Sequence, residues 1–240
     1  MAGVSAKTNA SGQAAVLDLA SQSLRDVNTV LHGADSGLSG KQLQILHPAG
    51  RHSIAVGMNA SAQVDIQGHV GYYAAGMNRQ AEITIHGNAG CGVAENMTSG
   101  RVCVQGNAST CAGASAHGGL LVVRGDAANR CGISLKGADI VVGGSVGHMS
   151  GFMAQAGRIV VCGDAGTGLG DSLYEAVIYV RGNCGELGAD AQQEPMSDDD
   201  QRQLAGLLSQ AELKFDPQDF KRIASARKLY HWNADAAQKY

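Results

Sequence analysis

A glycine recurs every nineteen residues, at Gly68, Gly87, Gly106, Gly125, Gly144, Gly163 and Gly182, through seven turns without insertion or deletion. A strict period of this length marks a solenoid, in which each repeat is one coil that buries its apolar side only against its neighbours. The residue four before each glycine is Val64, Ile83, Val102, Leu121, Ile140, Ile159 or Ile178, and the residue two before is Ile66, Ile85, Val104, Val123, Val142, Val161 or Val180. A period-two strand pattern therefore sits inside a period-nineteen coil. Nineteen extended residues would run roughly 60 Å at about 3.3 Å each, so each repeat must close into a rung and the rungs must stack as parallel strands. The expected fold is an all-β solenoid, a right-handed parallel β-helix of about seven to eight 19-residue rungs. Its hand follows from the general rule for parallel crossovers.

The corner after each strand repeats too. Following the phase glycine come His69, Asn88, Asn107, Asp126, Ser145, Asp164 and Asn183, all polar. Such side chains bond to neighbouring backbone and can stack into a ladder up the coil. Small residues follow, as expected where adjacent rungs approach within about 4.8 Å. The phase glycines themselves are expected to take positive φ and end the strands. Proline bounds the stack: Pro48 and Pro195 flank a proline-free span, and a continuous ladder needs every amide. The β-helix is thus placed at 49–194, with a cap over 1–48 and a C-terminal region over 195–240.

Open strand edges at both ends of a solenoid need covers. On the N-terminal side, a strand is expected over residues 15–19, then a helix over 24–32 capped by Ser23. On the C-terminal side, Ser197 and Asp200 form a capping-box pattern before a stripe of Leu204, Leu207, Leu208 and Ala211, an amphipathic helix. Asp216 and Pro217 predict a second helix with Phe220, Ile223 and Ala224 on its apolar face. Residues 225–240 are expected to be a docking tail.

Net charge is −3 and no basic cluster exceeds the Arg227 and Lys228 pair, which argues against a nucleic-acid or anionic-membrane surface. No apolar leader or spanning segment is visible, so the expected compartment is the cytoplasm. The six cysteines show neither C-x-x-C nor a histidine partner at zinc spacing, so they are expected to be reduced, buried fillers. Gly163, Gly166, Gly168 and Gly170 resemble a phosphate loop, but equivalent glycines recur in other rungs and no P-loop lysine follows. Asp171, Glu175, Glu186 and Asp190 lack the aligned basic partner that a polysaccharide-cleaving β-helix requires. The six-residue subperiod of hexapeptide acyltransferases is absent.

One asymmetry stands out. The outward position between the core columns reads Asp65, Thr84, Cys103, then Val122, Val141, Val160 and Tyr179. A ladder that turns apolar halfway up needs a cover. The candidates are the helix carrying Leu204, Leu207 and Leu208, folded back over it, or a partner protein. Val122, Val141, Val160 and Tyr179 with Leu204, Leu207 and Leu208 are the candidate interface, and the seven phase glycines the structural turns.

The V/I-x-V/I-x-G-[NDS]-x-[GAS] unit, in seven copies, resembles the C-terminal GXGXG β-helix domain of glutamate synthase large subunits. The flanks add Leu17-Asp18-Leu19-Ala20 and Ser23-Leu24-Arg25-Asp26-Val27-Asn28 before the coil, then Asp216-Pro217 and Ser225-Ala226-Arg227-Lys228-Leu229-Tyr230 after it. With these the chain is most similar to the separate β-helix subunit of N-methylglutamate synthase. The resemblance implies a non-catalytic structural subunit bridging an amidotransferase-like chain and a synthase chain that carries FMN and an iron-sulfur cluster. No cofactor, metal or catalytic residue is then expected in this chain. The implied complex makes N-methylglutamate from methylamine and glutamate. The alternatives are the β-helix subunit of a conventional glutamate synthase, that of formylmethanofuran dehydrogenase or its formyl-hydrolase relatives, and, in another class, an independent β-helical carbohydrate-active enzyme.

Overall fold

In the computed structural model, which describes residues 14–32 and 37–226, nine strands stack in parallel. They are β1 (Ala15–Asp18), β2 (Gln42–Leu46), β3 (Gln63–Gln67), β4 (Glu82–Ile85), β5 (Arg101–Val104), β6 (Leu120–Val123), β7 (Lys136–Val142), β8 (Ala156–Val161) and β9 (Val177–Val180). Register from β3 to β9 keeps the nineteen-residue step, as in Val64↔Ile83↔Val102 and Ile66↔Ile85↔Val104. Both inward columns are buried to 1% exposure or less. β2 enters the same columns with a longer step, Leu43↔Val64 and Ile45↔Ile66. The stack therefore continues below residue 49, where the glycine phase has already been lost.

The polar corner ladder is continuous. Asn88 N–H donates to His69 Nδ1, Asn107 to Asn88 Oδ1, Asp126 to Asn107 Oδ1, Ser145 to Asp126 Oδ1, Asp164 to Ser145 Oγ and Asn183 to Asp164 Oδ1, all at 2.7–2.9 Å. Each corner side chain thus accepts the backbone amide of the next rung. This ladder changes the reason for the phase glycines. Only Gly68 has positive φ, at +134°. At Gly125 a Cβ would lie 2.1 Å from Asn107 Oδ1 and 3.0 Å from Gly106 O, and Gly106, Gly144 and Gly182 repeat the clash. Glycine is needed there because rung and carboxamide occupy the space of a side chain, not because the backbone turns left-handed.

Left-handed backbone lies instead on the opposite side of each rung. Three alternate residues per rung, from Ser53, Ala55 and Gly57 up to Gly168, Gly170 and Ser172, have φ between +52° and +73°. Fourteen of these twenty-one residues are not glycine, and each such residue costs roughly 1–3 kcal/mol in isolation. Stacking holds them in place. In the five triplets from Tyr73 to Met153 the outer two amides donate upward, as Met77 N–H to Glu95 O at 2.7 Å and Asn96 to Ala114 O at 2.9 Å. The middle one donates downward, as Ala94 to Ala74 O at 3.0 Å. Where the middle residue is Gly113, Gly132 or Gly151, the Cδ1 of Ile140, Ile159 or Ile178 lies 2.5–2.7 Å from where its Cβ would be. The longer core side chain occupies the room that glycine leaves.

Both ends are closed. The helix α1 (Leu24–His32), capped by Ser23 Oγ accepting from Asp26 N–H at 3.2 Å, buries Val27 and Leu31 at the lower end. Its Asn28 amide donates to Ser53 O at 2.8 Å and accepts from Ala55 N–H at 3.0 Å. At the top, the expected second C-terminal helix is not formed. Asp216 and Pro217 start only a three-residue 3-10 turn, after which β11 (Lys221–Ser225) inserts antiparallel between β9 and β10 (Ala191–Glu194). The groups of β9 would otherwise be a free edge, so sheet pairing prevails over the cap signal. Ile223 and Ala224 are buried there in a strand, and Phe220 just before it. Most of the tail, 227–240, lies outside the described residues.

Candidate functional site

Alternation along each strand forces the residue between the two core columns outward, yet Val122, Val141 and Val160 are fully buried and Tyr179 is 1% exposed. Their cover is α2 (Asp198–Gln210), whose Leu204, Leu207 and Leu208 form one cluster with the ladder, joined by Ala211 and Phe220. The seven residues expected at an interface are thus brought together inside the chain itself. At the foot of the column, Thr84 is only half-buried, and Asp65 there pairs with His86 at 2.7 Å.

Two polar clasps fix the helix. At its start Ser197 forms a complete capping box with Asp200. Asp200 also accepts from Tyr179 Oη at 2.8 Å and from Arg222 Nε at 3.1 Å, and Arg222 pairs further with Glu194. Burial alone would raise the Asp200 pKa, but the Ser197 hydroxyl and amide, Tyr179 and Arg222 outweigh it and hold it down to about 2. At the other end Arg101 Nη1 donates to Gln210 O at 2.8 Å, and Arg124 donates to Ala211 O and, at 2.6 Å, to Glu212. Guanidinium groups thus satisfy the exposed carbonyls and the negative end of the helix dipole. Between the clasps Arg158 joins Asp139 at 2.7 Å to Gln203 at 2.8 Å. The charged side chains of this sheet face are largely committed to holding α2.

Among the described residues, nothing comparable covers the side of left-handed residues. It carries Tyr72, Tyr73, Met77, Met153 and Tyr174, which are the exposed large apolar side chains of the described residues apart from Val16. His52 stacks on Tyr72 at 4.4 Å. Sequence reasoning missed this face. Its one signal was a second nineteen-residue glycine phase, Gly113, Gly132, Gly151 and Gly170, with Gly92 and Gly168 in a neighbouring left-handed column, masked elsewhere by Ala, Ser and Met. Gly168 and Gly170, two of the four glycines that resemble a phosphate loop in sequence, belong to this left-handed ladder. Gly163 and Gly166 pack against the rung beneath.

Among the described residues no group of three or more His, Cys, Asp or Glu is placed to hold a metal ion, and no helix is long and apolar enough to cross a membrane. The architecture defines the class: a parallel β-helix with one sheet face sealed by its own helix and, among the described residues, one uncovered face of left-handed rungs. Protein GlxC of Rhizobium meliloti (strain 1021) is 52% identical over 226 residues, covering 94% of this chain and 99% of that protein. The chain belongs to the GlxC family. No model of a known protein family matches it.

Proposed function

We propose that this chain is a structural β-helix subunit of a glutamate synthase-like complex, specifically of the N-methylglutamate synthase type. It would bridge an amidotransferase-like chain and a synthase chain that holds FMN and an iron-sulfur cluster. The observation that carries this reading is where the family-like flanking segments fall. Leu17 and Asp18 lie in β1, Leu19 and Ala20 in the turn after it, and Ser23 caps α1, which holds Leu24 to Asn28; these elements close the bottom of the stack. Asp216-Pro217 and Ser225 start and finish the insertion that closes the top. The resemblance thus extends from the repeat to the devices that terminate it. An architecture of this kind supplies shape and rigidity: its polar side chains serve ladders and clasps, and Tyr72, Tyr73, Met77, Met153 and Tyr174 are exposed on one face, where other chains would dock.

The test is to isolate the assembly through a tag on this chain and assay it with two substrate pairs. N-methylglutamate formed from methylamine and glutamate supports the reading. Glutamate formed only from glutamine and 2-oxoglutarate would assign a conventional glutamate synthase instead. Activity on carbohydrate by this chain alone would overturn the structural role.

A further inference from the structure

Cys91 and Cys111 lie in consecutive rungs of the open face, and both are half-exposed. Gly92 N–H donates to Thr110 O at 3.0 Å and Cys111 N–H to Asn129 O at 3.0 Å, so Cys91 stacks directly against Thr110 and one residue away from Cys111. A rung spacing of about 4.8 Å combined with a one-residue offset of about 3.8 Å puts the two Cα atoms roughly 6 Å apart. That lies within the range of about 4.4–6.8 Å that a disulfide spans. Burial first, and then the neighbouring Cys91 thiol, raise the pKa of the Cys111 thiol. Neither cysteine is dictated by the repeat. The Cys91 column otherwise holds Tyr72, Thr110, Asn129, His148 and Thr167, and the Cys111 column Tyr73, Gly92, Arg130, Met149 and Gly168.

We propose that Cys91 and Cys111 are a reversible dithiol site, closed into an inter-rung disulfide by a low-molecular-weight disulfide. The thiolate of Cys91 attacks one sulfur of the reagent and expels the other half as a thiolate, leaving a mixed disulfide. Cys111 then loses its proton and attacks the Cys91 sulfur, forming the Cys91–Cys111 bond and releasing the second thiolate. Two protein thiols are oxidised and one reagent disulfide is reduced to two thiols, so electrons balance. Cys131 is fully buried, with its pKa pushed up to about 12 by burial and by Cys111. It takes no part, since the thiolate is the reactive form. The bond would staple two rungs together between Tyr73 and the upper open face.

The experiment oxidises the full folded chain with glutathione disulfide, then denatures, alkylates and maps peptides by mass spectrometry. Four of the six thiols should remain alkylatable, the Cys91 and Cys111 peptides should be joined, and dithiothreitol should restore all six. C91S should abolish the link. Independently of any variant, the unmodified chain should retain one equivalent of phenylarsine oxide, a reagent that bridges adjacent thiols, and oxidation should block its uptake. Six free thiols after oxidation, glutathione adducts on both residues without a link, or a link between other cysteines would each overturn the proposal.

Discussion

Replacing Gly125 with alanine isolates the contact on which the stack depends. φ is not left-handed there, so backbone strain contributes nothing and the added methyl acts through space alone. That methyl would sit 2.1 Å from Asn107 Oδ1, which accepts the Asp126 amide at 2.9 Å, and 3.0 Å from Gly106 O. The carboxamide must swing away, losing one hydrogen bond with a net worth of about 1 kcal/mol. Overpacking against the rung below adds about 1–3 kcal/mol. The sum, about 2–4 kcal/mol, corresponds to a fall of roughly 4–16 °C in Tm at about 2–4 °C per kcal/mol for a chain of this size. Asn107→Ala removes the same hydrogen bond and the same obstacle. The double variant should therefore be more stable than the summed single losses imply, by about 1 kcal/mol or more in a double-mutant cycle. Gly206→Ala is the control: nothing lies within 4 Å of its added Cβ, so it should stabilise α2 by roughly 0.5–1 kcal/mol. Strict additivity, or an unchanged Tm for Gly125→Ala, would refute the steric account of the phase glycines.

Other expectations follow from the covered ladder. Val141→Asp buries an unpaired carboxylate under α2 and should cost more than about 4 kcal/mol or release the helix to limited proteolysis. Thr84→Asp, at the half-buried foot of the same column, should cost less than about 1 kcal/mol in the same melts. The Asp200 clasp should be sensitive to acid. Its carboxyl is lowered from 3.8 to about 2 on folding, so its stabilisation is complete above the unfolded value and is lost as pH falls through the folded one. Asp200→Asn should be less stable than the parent by about 1 kcal/mol at neutral pH, the shift being discounted for solvent screening. That gap should close between about pH 4 and pH 2 in denaturant titrations, and a gap independent of pH would contradict the assignment.

Much of this was readable from residue order because a solenoid turns tertiary contacts into a period. Val64 and Ile66 name their neighbours in every rung, and the polar residue after each glycine names its ladder. The cover was readable as well, because Leu204, Leu207 and Leu208 form a helical stripe and the outward column turns apolar at Val122. Three features were not legible. The phase glycines look the same whether φ or space demands them, and only the position of Asn107 Oδ1 decides it. The left-handed triplets are enforced by amides bonding between rungs, so side chains as different as Tyr73, Cys111 and Arg130 occupy one column without a shared code. At Asp216 a genuine cap signal was followed, yet the unsatisfied edge of β9 drew Lys221–Ser225 into a strand.

The central claim, a structural subunit inside a larger enzyme, is tested most directly by native mass spectrometry of the tagged chain purified under mild conditions from cells grown on methylamine. The account predicts a stable hetero-oligomer in which this chain accompanies an amidotransferase-like chain and a flavin-containing synthase chain. A lone monomer with catalytic activity of its own would contradict it.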